Sequence, residues 1–60
     1  MVFPEAQLSA IAGSLTELTD RVTALADAAR DARDDDIATE LYEIERMLRA
    51  ANRRLERLLG

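Results

Sequence analysis

The chain has no cysteine and no histidine among its 60 residues. Disulfide bridges are therefore excluded, and the usual nitrogen and sulfur ligands of zinc are missing. Lysine is absent too, so all eight basic residues are arginine. Without His, Cys or Lys the commonest general base and covalent nucleophiles are gone, and Ser9 and Ser14 have no such base to activate them. Aromatic residues stop at Phe3 and Tyr42, Pro4 is the only proline, and Gly13 and Gly60 are the only glycines. Nothing approaches the roughly 18 consecutive apolar residues of a membrane span. The N-terminus has neither the basic segment nor the continuous apolar run of a signal peptide. These absences lead us to expect a soluble, cytoplasmic, non-enzymatic protein without metal or cofactor. The Arg-only, Ala- and Asp-rich usage suggests a bacterial, high-GC source.

What the chain does have is heptads. Over the stretch DDIATELYEIERMLRAANRRLERLL (residues 35–59), apolar residues fall at Ile37, Leu41, Ile44, Leu48, Ala51, Leu55 and Leu58, in steps of 4, 3, 4, 3, 4 and 3. That alternation is an apolar seam along one side of a helix, and such a seam must be covered by another helix. The segment is a rod of roughly 30 Å. Met47 and Leu59 flank the seam. A second seam precedes it at Leu8, Ile11, Leu15, Leu18, Val22, Leu25 and Ala29, in steps of 3, 4, 3, 4, 3 and 4. Beside it run the small residues Ala12, Thr16, Thr19, Thr23 and Ala26; they are either filler on a half-exposed face or, as we expect, widen the apolar strip to the three positions per heptad that a four-helix bundle needs.

The signals at the ends agree with two helices. Val2, Phe3, Pro4 and Glu5 read as a helix start, with Pro4 in the first turn, Glu5 at the positive end of the dipole and Phe3 stapled to Leu8. Gly13 faces outward and marks either a close approach or mild bending. At Asp31-Ala32-Arg33-Asp34-Asp35-Asp36 the heptad phase breaks, and the Asp run suits caps and the first turn of a new helix. A stutter in one uninterrupted helix is the alternative. The spacing predicts a helical hairpin as a single domain, with helix 1 over about 4–30, a loop over about 31–34 and helix 2 over about 35–59. Gly60 stands where a C-terminal cap belongs, and a natural chain end is expected there.

Charge is unevenly distributed. Residues 34–45 carry six acids and no arginine, whereas residues 46–60 carry five arginines and one acid. This order complements the helix dipole and favours antiparallel pairing of two copies of the second helix, acidic half against basic half. Arg46, Arg49, Arg53 and Arg57 share a stripe roughly 80° wide. Such a stripe could contact phosphates, but neighbouring acids and the net charge of −4 point instead to a solvated face.

In length and layout the chain resembles the ROP-type hairpins, small acidic proteins that dimerise into four-helix bundles and grip paired RNA loops. The resemblance implies a fold. The RNA-contacting face of that family lies on the first helix and is basic and polar, whereas Glu17, Asp20, Asp27 and Asp31 here would repel phosphate.

A domain this small is marginal alone, so oligomerisation is expected. The expected architecture is an all-α hairpin that dimerises, or forms a tetramer, as a four-helix bundle. Its interface is expected at Leu8, Ile11, Ala12, Leu15, Leu18, Thr19, Val22, Leu25, Ala26, Ile37, Leu41, Ile44, Met47, Leu48, Ala51, Leu55, Leu58 and Leu59. The expected function is a protein–protein interaction or scaffold module, such as a small accessory subunit of a larger assembly. A nucleic-acid-binding regulator using the Arg stripe is the alternative.

Overall fold

Pro4 starts the first helix from outside rather than from within its first turn. It takes φ −79° and ψ 75° as the capping residue, and its carbonyl accepts from the amides of Gln7 and Leu8 at 3.1 and 3.2 Å. The Glu5 amide donates to the Phe3 carbonyl at 2.9 Å, which closes a γ-turn around the proline. Phe3 and Leu8 occupy the two staple positions, with Leu8 buried and Phe3 exposed. In this computed structural model, which describes residues 3–60, the result is α1 (Glu5–Asp31), followed by α2 (Asp35–Leu59). Val2, read as part of the helix start, lies outside the described residues.

The chain then reverses on three residues, Ala32 to Asp34. Asp34 donates its amide to the Ala29 carbonyl at 2.9 Å, and Arg33 donates to Arg30 at 3.0 Å. These two bonds form a Schellman motif, which satisfies the last carbonyls of α1 and turns the chain out of the helix. The left-handed position of that motif, normally glycine, is occupied by Arg33 at φ 62°. Asp34 is the capping residue of α2, yet its carboxylate makes no cap bond. The expectation of aspartate side-chain caps is corrected here: the backbone makes the turn, and Asp35 and Asp36 act through the helix dipole.

The two helices pack antiparallel into a hairpin 51 Å long and 14 Å in each cross-section, not one continuous rod. Among the described residues, three cross-helix hydrogen bonds fix the register. Asn52 Nδ2 donates to Thr16 Oγ1 at 2.8 Å, Thr23 Oγ1 to Glu45 Oε2 at 2.5 Å, and the Tyr42 hydroxyl to Asp27 Oδ1 at 2.5 Å. The contacts advance along α1 as they retreat along α2.

What lies between the helices differs from the expected seam-on-seam packing. The deepest residues are Ala26 at 0%, Thr19 at 3%, Ala38 at 5% and Ala12 at 7% exposure. Small side chains at the contact let two helix axes approach closely. Thr19 brings its own acceptor, because its hydroxyl donates to the Leu15 carbonyl at 2.7 Å and arrives satisfied. The strip expected to need outside cover is therefore the one the hairpin covers itself. Gly13 has open space where a Cβ would stand, so it marks no close approach.

Candidate interaction face

The larger side chains of both seams split into two sets. Leu15, Val22, Leu41, Leu48, Leu55 and Leu59 are half-buried at the edge of the helix–helix contact. Ile11, Leu18 and Leu25 on α1, and Ile37, Ile44, Met47, Ala51 and Leu58 on α2, are exposed. Leu18 keeps 47% of its surface and Leu25 keeps 60%.

The geometry of the exposed set follows from helical pitch. On each helix an exposed residue comes one position before a residue that faces the other helix: Leu18 before Thr19, Leu25 before Ala26, Ile37 before Ala38, Ile44 before Glu45. One residue is a rotation of about 100°. Because the helices run antiparallel and face each other, equal rotations in their own frames carry both stripes to the same side of the hairpin. Each helix thus presents two packing directions at roughly a right angle, one filled by its neighbour and one open. A helix in a square four-helix arrangement has that pattern of neighbours.

The hairpin is less compact than a globular fold of its mass. The chain exposes 4809 Å². A globular monomer of its 6.7 kDa mass would expose roughly 3,900 Å². The excess of roughly 900 Å² belongs to the elongated 51 × 14 × 14 Å shape as a whole, its polar sides included.

The opposite side is polar. Thr16, Thr23, Asp27 and Tyr42 line it with the cross-helix bonds described above. Bonds from Thr23 and Arg49 hold the Glu45 carboxyl below the ordinary carboxylate value. Donation to Asp27, followed by burial, pushes the Tyr42 hydroxyl above its ordinary value. Asn52 Oδ1 is buried without a partner among the described residues. Its amide nitrogen is spent on Thr16, whose own hydroxyl donates to the Ala12 carbonyl at 3.1 Å.

The arginine stripe emerges on α2. Arg46 pairs with Glu43 at 2.7 Å and Arg49 with Glu45 at 3.2 Å, both within the helix. Arg53 and Arg57 border a surface concavity together with Glu56 and Gly60, so an acid shares it with the two cations. Among the described residues no acids converge in a group that could hold a metal ion. Among the described residues no helix is long and apolar enough to cross a membrane.

Among the residues expected at an oligomer interface, Leu8, Ala12, Thr19 and Ala26 are thus already buried inside the hairpin, and the eight exposed ones form the open face. Three residues facing α1 escaped the sequence reading: Ala38, Glu45 and Asn52. Their signal was available, since Ala38, Glu45, Asn52 and Leu59 recur every seven residues, one step after Ile37, Ile44, Ala51 and Leu58. Two of the four are polar, which disguised the strip as an outward face. No protein family, curated protein or solved structure matches the chain.

Proposed function

We propose that this chain is a non-enzymatic self-association module: two copies close their apolar faces on each other to form a four-helix bundle, a protein–protein interaction or scaffold element. The observation that carries this reading is the single-sided face of Ile11, Leu18, Leu25, Ile37, Ile44, Met47 and Leu58 left open by a folded hairpin. Isolated exposed apolar residues are ordinary, but a contiguous two-helix face is the mark of an interaction surface. A second copy carries the same open face, so a twofold closure covers the exposed apolar side chains of both copies at once. A bundle of four helices also supplies the core that a 60-residue chain has difficulty building alone. The pairing of Arg46 and Arg49 with Glu43 and Glu45, and the acids on the outer side of α1, weigh against a phosphate-tracking role for the stripe.

Sedimentation equilibrium across the micromolar range tests the reading. A dimer mass is expected, with a melting temperature that climbs with protein concentration because folding and association are linked. A helical monomer whose melting ignores concentration would end it.

A further inference from the structure

The dimer proposed above can close in two ways, and the charge distribution of the hairpin separates them. Residues 27–45, which form the loop end, carry eight acids and two arginines, a net −6. The remaining residues carry four acids and six arginines, a net +2. The hairpin is therefore an electrical rod 51 Å long, negative where the chain turns.

In one closure the twofold axis runs along the bundle. Both turns then lie at the same end, and each α2 sits against the partner's α1. Two net −6 ends would lie a helix spacing apart, about 10 Å, which is close to one Debye length of about 8 Å in physiological salt. In the other closure the axis crosses the bundle, so the turns lie at opposite ends and α2 packs antiparallel on the partner's α2. The acidic end of each copy then rests on the arginine-bearing end of the other.

The rim of the apolar face agrees with the second arrangement. On α2 the outer edge of that face carries Asp36, Glu40 and Glu43 towards the turn, and Arg54 and Arg57 towards the far end. Antiparallel α2 pairing brings the acidic edge of one copy over the arginine-bearing stretch of the other. Placed against α1 instead, the same edge meets Ala28 and Asp31 near the turn, while Arg21 stands back at mid-length. We infer that the partner of the apolar face is a second copy oriented with its turn at the opposite end, α2 against α2. This rests on the self-association reading and adds its polarity.

The chain has no cysteine, so a single spin label can be placed by one substitution. Ala32→Cys puts it on an exposed turn residue with ordinary backbone angles. Pulsed dipolar spectroscopy on the labelled dimer is expected to read a distance near the molecule's 51 Å length. Mixing this variant with labelled Gly60→Cys is expected to add a short distance of about 20 Å or less, roughly two helix spacings. A short distance in Ala32→Cys alone, or a mixture of short and long, overturns the orientation and leaves self-association standing. Absence of dipolar coupling together with a monomer mass by light scattering overturns the underlying reading instead.

Discussion

Arg33 sits at φ 62° in a position where most chains place glycine. A side chain in the left-handed region costs roughly 1–2 kcal/mol through the clash of Cβ with the following carbonyl. The sequence holds only two glycines, and neither is in the turn. Arg33→Gly is therefore expected to stabilise the hairpin by about 1 kcal/mol, net of the greater freedom glycine has when unfolded. At this size that raises the melting temperature by roughly 4–8 °C. Circular dichroism melts at matched concentration check it, and an unchanged or lower midpoint would mean that the arginine side chain contributes something beyond backbone strain. The turn mechanism was not legible in the sequence for the same reason: nothing about arginine announces a left-handed residue. Two other side chains set the response to pH. Glu45 is an acid whose value is lowered by its bonds to Thr23 and Arg49, so its contribution is present above about 4.5, the ordinary value, and is lost as pH falls through the lowered one. Tyr42 is held neutral by donating to Asp27. Its contribution is present below 10.0 and is lost as pH rises through the raised value. Stability is expected to fall at both extremes. Glu45→Gln should flatten the acid limb alone and Tyr42→Phe the alkaline limb alone, read from melts across the pH range.

At the scale of the helices, local propensity and tertiary placement can be separated. Gly13 lies inside α1 with nothing within 4 Å of the place a Cβ would occupy, so Gly13→Ala should add about 0.5–1 kcal/mol with no steric cost. A loss of stability there would point to a neighbour that the hairpin alone does not contain. The aspartate run gives the contrasting case. Since Asp34 makes no side-chain cap bond, replacing Asp34, Asp35 and Asp36 with Ala removes only dipole attraction, about 0.3–1 kcal/mol at each position, against a comparable gain in helix propensity. The triple variant is expected to stay a hairpin within about 1 kcal/mol of the parent. Conversion to an extended rod would show that these carboxylates direct the reversal. Helix positions were readable because the 3-4 spacing of Leu8 to Ala29 and of Ile37 to Leu58 is a direct image of helical pitch, and the break in phase located the turn. The division of labour within each seam was not readable. Heptad spacing says which residues share a side, whereas which of two neighbouring directions faces the other helix depends on side-chain size. At Ala12, Thr19 and Ala26 small size governs, because the closest contact belongs to the smallest residues.

For the whole molecule the consequence is that adjacent residues have opposite roles, and Leu25 and Ala26 show it most sharply. Ala26 is completely enclosed between α1 and α2, while Leu25, one residue earlier, keeps 60% of its surface. Enlarging Ala26 to Leu forces extra methylenes into a filled contact. Overpacking of this kind costs about 1–3 kcal/mol. That loss belongs to the hairpin, so it should appear equally at every protein concentration. Replacing Leu25 with Ser removes apolar surface chiefly from the open face, because most of that side chain is exposed. Its cost should appear in association, as a weaker dimer and a loss of melting temperature that is largest at concentrations where the parent is dimeric and shrinks on dilution. Burying a leucine is worth about 1.5–3 kcal/mol. A twofold dimer loses two such side chains, each with 60% of its surface left to bury, so its dissociation constant should rise by at least about twentyfold, since every 1.4 kcal/mol is a factor of ten. Sedimentation equilibrium on the two variants, paired with melts at two concentrations, tests the contrast. Equal, concentration-independent losses in both would mean that Leu25 is packed within its own chain and that the open side of the hairpin is not where a second copy binds.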